Sequence, residues 1–387
     1  MDDSFGWQVF SFLGGSALMP RKKSKIQGIH LIAQLADVSI GTVDRALHGR
    51  RGINESTRQK VLRVAQKIGY TPNLAARALS TAKAKIRIGV CVPREIRFFY
   101  DQLWAGILDE ARRVAPFGVE LVNHPVRALG ENDAEAFQDL VNSEVDGIIL
   151  TAGNPQALTP LIDAAEASGI RVVCVSTDAP GSRRSSIVCV EPSLNGFLAG
   201  ELMGKFLPPG SRVAVVAGML TAEDHRKKTA GFSRGFPQHN VGGKVVAVIE
   251  GHEHEKESYE KTADLLLRIP ELSGLYVNTV NCLPVCRALE ARGLAGKVSL
   301  IATDLFPEMS SLLQQGTIAA SIYQHPYRQG QIAVRNLCDN LLNQMALQPH
   351  VHLSPGLVMA SNVLLFRELR YAEAQPDLPV PRKRVVA

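Results

Sequence analysis

The 387-residue sequence predicts an α/β protein with a small three-helix head, a hinge helix and two doubly wound parallel-sheet lobes. The length corresponds to two or three domains at about 150 residues each. An apolar content of 45% with 21% charged residues supports sizeable cores and excludes a mainly disordered chain. Near residue 86 the hydrophobic pattern changes from helical spacing to short continuous apolar runs. No run of about 18 apolar residues occurs, so no membrane-spanning helix is expected.

The charge is unevenly distributed along the chain. Residues 21–87 contain 15 Lys and Arg but only three Asp and Glu, a net charge of +12, whereas the rest of the chain has a net charge of −6. A basic segment on an acidic body is typical of a polyanion-binding element, although a solvated charged face would give the same count. The arrangement of residues within the segment must decide between these interpretations.

Residues 1–25 are expected to be a disordered or non-native extension, with Met19 as a second possible start. A secretory signal has positive charge before its apolar stretch, whereas Asp2 and Asp3 come first here. This order predicts a cytoplasmic protein.

The six cysteines lie mostly within apolar runs, which is typical of small buried side chains rather than disulfides. Cys282 and Cys286 are spaced to share one helix face, but no further Cys or His stands at ligand spacing. We therefore predict core packing for them, with no metal site and no cofactor.

Residues 26–71 are predicted to form a three-helix domain. The apolar residues of the first helix, from Ile29 to Ala36, share one face. Ser39 is suited to cap a second helix and Asn54 a third. Three short helices in about 40 residues, with a tight turn between the first two, match the helix-turn-helix pattern. Any small helical bundle would share this spacing, but the basic content and the polar face of the second helix favour duplex DNA as the partner.

Residues 72–85 are predicted to be a hinge helix and basic linker. Asn73 can cap a helix of about eight residues, which is too short to be stable alone in water. A helix that forms only on a partner is suited to couple two domains.

Residues 86–370 are predicted to form the two lobes, followed by a flexible tail at 371–387. Strands are expected at 86–92, 119–122, 147–150, 171–175, 213–217, 245–249, 275–277 and 298–302. Helices are expected at 101–114, 134–141, 157–167, 195–206, 256–267 and 284–292. Continuous apolar runs indicate parallel strands covered on both faces. Ligands bind such folds at the carboxyl ends of the strands, which a cleft between two lobes would bring together.

The run from Leu31 to Leu47 resembles the head of the lactose-repressor/galactose-repressor family of transcription factors, as do residues 57–61, 69–73 and the Ala-rich stretch ending at Leu79. The part from Arg87 to about Glu368 is similar to periplasmic sugar-binding proteins of the ribose-binding type. This resemblance implies a homodimeric regulator, usually a repressor, that binds a pseudo-palindromic operator and is switched by a small ligand such as a sugar, a polyol or a derivative.

The resemblance also implies DNA contacts. Arg45 matches a base-reading arginine, which can form two hydrogen bonds to guanine. Leu79 matches a leucine that inserts into the minor groove. Gly41 and Asp44 depart from the family's usual residues, which leaves the operator sequence open. The complete set of predicted DNA-binding residues is Ser39, Ile40, Gly41, Thr42, Asp44, Arg45, Asn73, Ala76 and Leu79.

The same resemblance implies a ligand site. Its predicted members are Phe99, Tyr100, Ser176, Thr177, Arg226, Asn278, Asp304 and Gln324. Aromatic rings stack on sugar C–H faces, and the polar groups bind hydroxyls. The family's usual Asp-Arg pair is replaced by Ser176-Thr177-Asp178, and Thr279 stands where an Asp is usual, so ribose is not assumed.

Two other functions fit parts of the sequence. Residues 231–235 match the GxSxG pattern of a hydrolase around Ser233, and Asp304 and His325 follow in the hydrolase order. That elbow must directly follow a strand, whereas Thr221–Phe236 is predicted to be helical. A secreted sugar receptor without DNA function is the other alternative. The segment His252–Glu255 is expected to be a solvated loop rather than a metal site.

Overall fold

The computed structural model describes residues 29–47, 52–67, 85–94 and 96–366. The predicted extension at 1–25, nearly all of the hinge at 72–85 and the tail at 371–387 lie outside the described residues. The chain divides into two compact units, Met1–Pro72 and Asn73–Ala387.

The first unit contains three helices, α1 (Ile29–Ala36), α2 (Ile40–Leu47) and α3 (Glu55–Lys67). Two predicted caps are present. The backbone N–H of Thr42 donates to Oγ of Ser39 at 3.1 Å, and that of Thr57 donates to Oδ1 of Asn54 at 2.7 Å. Each cap satisfies a helix N–H that has no partner within its helix. The small core consists of Ile32, Ala33, Ala36, Val43, Ala46, Val61 and Ala65.

The second unit contains two lobes, each built on a six-stranded sheet. In lobe 1 the strands are β1 (Ile86–Cys91), β2 (Val119–Asn123), β3 (Gly147–Leu150), β4 (Arg171–Val175), β5 (Ser186–Val190) and β11 (His350–Leu353), in the order β11-β5-β4-β3-β1-β2. In lobe 2 they are β6 (Arg212–Ala217), β7 (Lys244–Glu250), β8 (Leu272–Val277), β9 (Ser299–Thr303), β10 (Ala320–Tyr323) and β12 (Gly356–Val358), in the order β12-β10-β9-β8-β6-β7. The pairs are parallel except that β12 runs antiparallel to β10.

Helices cover both sheets. They are α4 (Phe99–Val114), α5 (Asp133–Asn142), α6 (Pro155–Ala167), α7 (Pro192–Phe206), α8 (Glu223–His239), α9 (Glu255–Arg268), α10 (Cys282–Ala291), α11 (Met309–Gln314) and α12 (Pro326–Asn343). The chain leaves lobe 1 after β5, returns after β10 so that α12 packs on α4, and crosses again between β11 and β12. Three crossings join two lobes of equivalent topology, which confirms the predicted doubly wound architecture.

All eight predicted strands and all six predicted lobe helices are present, with ends shifted by a few residues. The six cysteines are free and buried, which confirms that they pack in the cores. Among the helices that the structure describes, none combines the length and apolar character needed to cross a bilayer.

Candidate functional site

A cleft between the two lobes gathers side chains from the carboxyl ends of several strands. The space in the cleft, counted together with the part that is open to solvent, is about 310 Å³. Lobe 1 contributes Ile96, Phe99, Tyr100, Leu129 and Ser176. Lobe 2 contributes Asp224, His225, Lys228, Glu253, Asn278, Thr279, Val280, Asp304 and Gln324. The lobe 2 wall is therefore polar, and most of the apolar surface lies on lobe 1.

Glycines on two helices position the charged part of this wall. On α7, a Cβ atom added to Gly196 would lie 1.9 Å from the carbonyl oxygen of Lys228. Gly231 on α8 faces α7 in the same way, since a Cβ atom there would lie 2.2 Å from the carbonyl oxygen of Ser193. The two backbones pack in contact because neither helix carries a side chain at these points. This packing fixes the first turns of α8, which carry Asp224 and Lys228.

Asp224 and Lys228 form a buried ion pair on α8. Nζ of Lys228 donates to Oδ2 of Asp224 at 3.0 Å, and the two side chains are 2% and 8% exposed, respectively. Burial alone would raise the pKa of Asp224, but the electrostatic effect of its neighbours His225 and Lys228 lowers it below its usual range. Burial likewise opposes ionisation of Lys228, yet Asp224 and Asp304 raise its pKa. Both partners are therefore charged in the folded protein.

His225 and Glu253 lie beside this pair. Nδ1 of His225 accepts a hydrogen bond from the backbone N–H of Met219 at 3.0 Å, which assigns the ring proton to Nε2. Nε2 lies 3.7 Å from Oδ2 of Asp224 and 3.5 Å from Oε1 of Glu253. Oγ1 of Thr279 donates to Oε2 of Glu253 at 2.6 Å. Two buried carboxylates thus share one face of the cleft.

Asp304 follows β9 in a left-handed backbone conformation, with φ of 70°. Nε2 of Gln324 lies 3.0 Å from both of its carboxylate oxygens. Burial raises the pKa of Asp304 to about 6, although Lys228 and Gln324 act in the opposite direction. Ser176 occupies the equivalent place after β4 in lobe 1, also with φ of 70°. Non-glycine residues in this strained conformation cluster at ligand sites. Ser176 lines the cleft from lobe 1 and Asp304 lines it from lobe 2.

Tyr100 presents the main polar group of the lobe 1 wall. Its ring packs edge-on against Phe99, with the ring centroids 5.0 Å apart. Burial, followed by the charges of Asp224 and Glu253, raises the pKa of its phenol well above the usual value. The phenol therefore stays neutral and can donate a hydrogen bond to a ligand.

Six of the eight predicted ligand residues line the cleft: Phe99, Tyr100, Ser176, Asn278, Asp304 and Gln324. Thr177 lies behind the wall, where its Oγ1 accepts from the backbone N–H of Asp224 at 3.4 Å. The prediction that Arg226 lies in the cleft was wrong. Its side chain is 57% exposed and pairs with Glu223 at 2.6 Å. Asp224 and Lys228 are about 40° apart around the helix, whereas Arg226 is about 200° from each and points away.

Other residues of the lobe 2 wall were not predicted. The spacing of Asp224 and Lys228, four positions apart on a predicted helix, is a signal for an ion pair, but it does not indicate burial. Glu253 contradicts the expectation of a solvated loop, because its side chain is only 6% exposed and lies against Gly218. Its neighbour His252 does point outward and pairs with Glu257. No group of His, Cys, Asp or Glu in the described ranges is arranged to hold a metal ion.

The second helix of the first unit presents a distinct surface. Val43 and Ala46 are buried, whereas Ile40, Gly41 and Arg45 are exposed. Ser39 and Thr42 are hydrogen-bonded to each other through their hydroxyls at 2.9 Å, and Asp44 is half-buried. The predicted DNA-binding residues Asn73, Ala76 and Leu79 lie outside the described residues.

Comparisons with known proteins identify both units. Residues 29–73 match the model of bacterial regulatory proteins of the lacI family, and residues 88–344 match a periplasmic binding protein domain. The catabolite control protein A of Priestia megaterium is 26% identical over 269 residues, covering 69% of this chain and 78% of that protein. The same protein from Staphylococcus aureus is 26% identical, covering 63% and 71%. The chain belongs to the lacI family of bacterial regulatory proteins.

Solved structures resemble the second unit of this lacI-family protein. GanP, a glucose-galactose binding protein from Geobacillus stearothermophilus, is 26% identical with a TM-score of 0.66 and covers 73% of this chain and 99% of its own. A solute-binding protein from Burkholderia graminis, in complex with D-arabinose, is 25% identical with a TM-score of 0.67 and covers 73% and 98%. The protein is thus a DNA-binding transcriptional regulator whose second unit has the fold of sugar-binding proteins.

The hydrolase alternative is not compatible with the position of Ser233. The preceding strand β6 ends at Ala217, and Ser233 lies in the interior of α8 (Glu223–His239). A nucleophile elbow requires a sharp turn directly after a strand, which exposes the serine. Ser233 is held in regular helix and lacks that turn.

Proposed function

We propose that this lacI-family regulator is a cytoplasmic homodimer, that it represses transcription from a pseudo-palindromic operator, and that a sugar or polyol in the cleft sets its operator affinity. We further propose that it is not an enzyme. The observation that carries this proposal is the cleft itself. Its buried polar groups come from both lobes, so a ligand there contacts the two lobes at once.

The exposed face of α2 supports base reading in the major groove. Arg45 is exposed, as are Ile40 and Gly41, and its Nη1 lies 4.0 Å from the position that a Cβ atom of Gly41 would take. A guanidinium that reaches guanine forms two hydrogen bonds, worth about 1–3 kcal/mol of discrimination against other bases. A two-fold dimer would place two such helices in successive major grooves, with the two Leu79 side chains at the operator centre.

Contacts between the lobes support a switch by lobe closure. Gln102 of lobe 1 donates through Nε2 to the carbonyl oxygen of Leu305 at 2.8 Å, and its Oε1 accepts from Oη of Tyr323 at 2.9 Å. A ligand that binds one arrangement of the lobes more tightly shifts the population toward it, by no more than its difference in affinity. We infer that this shift changes the spacing of the two hinge segments at 72–85, and therefore the stability of their helices on DNA.

Operator binding with and without candidate effectors tests this proposal. Full-length protein is titrated against labelled genomic fragments, and sugars, polyols and sugar phosphates are screened first by thermal shift. We expect specific, salt-sensitive binding to a two-fold symmetric site, with an affinity that changes when a thermally stabilising compound is added. Failure to bind any fragment over a wide range of salt and effector concentration would overturn the proposal.

Two further measurements separate the alternatives. Localisation of a tagged chain distinguishes a cytoplasmic regulator from a secreted sugar receptor. Esterase turnover that is lost in Ser233→Ala would instead establish an enzyme, and we expect no turnover in either protein.

A further inference from the structure

The charge of the cleft does not balance. Lys228 is paired with Asp224, so its ammonium is already compensated. Glu253 and Asp304 remain as two further carboxylates among the described lining residues, with no second Lys or Arg beside them. The lobe 2 wall is therefore acidic overall once Asp304 is ionised, and a bound anion would be repelled by it.

The same wall also has more hydrogen-bond acceptors than donors. Oδ1 of Asp224, Oε1 of Glu253 and Oδ1 of Asn278 are buried and accept no hydrogen bond from the described part of the chain. The other polar atom of each side chain has a partner. Oδ2 of Asp224 accepts from Lys228 and Oε2 of Glu253 accepts from Thr279, whereas Nδ2 of Asn278 donates to the backbone carbonyl oxygen of His225. Buried carboxylate oxygens are costly without a donor, so these atoms favour a ligand that donates hydrogen bonds.

The His225 imidazole lies near both carboxylates without forming a normal hydrogen bond to either. Its Nε2 is 3.5 Å from Oε1 of Glu253 and 3.7 Å from Oδ2 of Asp224, both longer than a normal N–H···O hydrogen bond. Both carboxylates therefore lie near the same ring nitrogen, whose proton satisfies neither Oε1 of Glu253 nor Asp224. Oδ2 of Asp224 is bound by Lys228, so Oδ1 is the acceptor of Asp224 that remains open. The raised pKa of the facing Tyr100 phenol, to which Asp224 and Glu253 contribute, indicates that their negative field reaches across the cleft.

We propose that the effector is a monosaccharide-sized polyol that carries a positively charged amine, held at the lobe 2 wall by Glu253 together with Asp224. This inference rests on the proposed function, since it names the ligand class of the same cleft. A protonated amine supplies up to three charge-assisted donors to the open acceptors and reduces the negative charge at once. The hydroxyls of the same ligand would be bound by Asn278 and Asp304, and its apolar face would lie on Phe99 and Tyr100.

Calorimetric titration of the full-length protein at pH 7.0 tests the proposal with matched pairs of sugars. The probes are D-glucose, D-galactose and D-mannose, their 2-amino derivatives, and glucose 6-phosphate as the anion. We expect at least one amino sugar to bind about tenfold or more tightly than its parent sugar, because a hydrogen bond to a charged group is stronger than a neutral one. Glu253→Gln should reduce the ratio of amino-sugar affinity to parent-sugar affinity to below about threefold, because the charge that favours the amine is lost. Glu255→Gln, an exposed neighbour paired with Arg287, is the matched control and should keep the preference.

Equal or tighter binding of the parent sugars, tighter binding of the phosphate, or no binding of any amino sugar would overturn this proposal. Operator binding of the same preparation separates it from the proposed function. If a neutral sugar binds more tightly than its amino derivative and changes operator affinity, the proposed regulatory function stands and only the proposal of an amine-containing effector is overturned. If the preparation binds no DNA, the proposed regulatory function is overturned. The preference for an amine is still decided by the calorimetric titration.

Discussion

Nζ of Lys228 lies 3.0 Å from Oδ2 of Asp224, one helical turn earlier on α8, and both side chains are buried beside the cleft. Each charge keeps the other ionised, since Lys228 lowers the pKa of Asp224 and Asp224 raises that of Lys228, in both cases against the effect of burial. A buried pair of this kind adds little stability when complete but is costly to break. The pair therefore defines a rigid charged surface that a ligand meets in the cleft.

Lys228→Met should destabilise the second unit by about 3–5 kcal/mol, because it leaves Asp224 buried without its partner. Urea unfolding at pH 7 measures this loss. Lys227→Met is the matched control, since Lys227 is partly exposed on the same helix and pairs with Glu223. Its effect should be within about 1 kcal/mol. Equal losses in the two variants would show that the Lys228 pair has no special energetic role.

Asp304→Asn should remove the contribution of Asp304 to the pH dependence of the free energy of unfolding. The pKa of Asp304 in the folded protein is about 6, above the ordinary value of 3.8, so ionisation of this group costs stability. Its favourable contribution is complete below about pH 3.8 and is lost as the pH rises through 6. The free energy of unfolding of the variant, minus that of the natural protein, should thus increase by up to roughly 3 kcal/mol between pH 4 and pH 7.

Unfolding curves at several pH values test this expectation. Asp133→Asn offers a second case of the same sign, because burial also raises the pKa of Asp133 to about 6. A difference that stays flat, or that decreases with pH, would contradict the assignment for Asp304.

Gly196→Ala should disturb both stability and the cleft. The new Cβ atom would lie 1.9 Å from the carbonyl oxygen of Lys228, so α7 and α8 must separate. Overpacking of this kind costs about 1–3 kcal/mol, and here it also displaces the turn that carries Asp224. The midpoint temperature of thermal unfolding and the affinity for the effector should both decrease. Gly181→Ala is the control, because its Cβ atom would meet only Oγ1 of Thr159 at 4.0 Å, and it should be neutral or slightly stabilising.

Arg45→Ala should abolish specific operator binding but keep salt-sensitive binding to unrelated DNA. Arg63→Ala removes the same charge from α3, where Nε of Arg63 donates to the carbonyl oxygen of Gln59. It should weaken binding to all sequences about equally. Anisotropy titrations with operator and scrambled duplexes measure both effects. An equal loss on both duplexes in Arg45→Ala would rule out base reading by this residue.

The sequence was sufficient for most of the architecture because continuous apolar runs and helical periodicity are local signals. The strands β5, β10, β11 and β12 were missed, as were helices α11 and α12. The β11 strand alternates exposed His350 and His352 with half-buried residues, so its composition does not distinguish an edge strand from a loop. Helix α12 contains many polar residues, and its role became visible only through its packing on α4.

The residues that line the cleft could be predicted only at positions that match those of the sugar-binding proteins which this chain resembles. Arg226 and Lys228 are both cations on α8, and the sequence alone does not say which of them faces lobe 1. That choice depends on where the glycine contacts fix the rotation of the helix against α7. Glu253 was assigned to solvent because its neighbours are polar, whereas its burial depends on long-range packing against Gly218 and Thr279.

The most direct test compares the effector response of a variant in the cleft with that of a variant on the exposed face of α8. Operator affinity is measured by anisotropy with and without a thermally stabilising effector, in the natural protein, in Asp304→Ala and in Arg226→Ala. We expect Asp304→Ala to keep operator affinity within about threefold but to lose the response, because Asp304 lines the cleft. Arg226→Ala should respond like the natural protein, since its side chain is exposed and points away. An unchanged response in Asp304→Ala at the same effector concentration would contradict the claim that the cleft controls DNA binding.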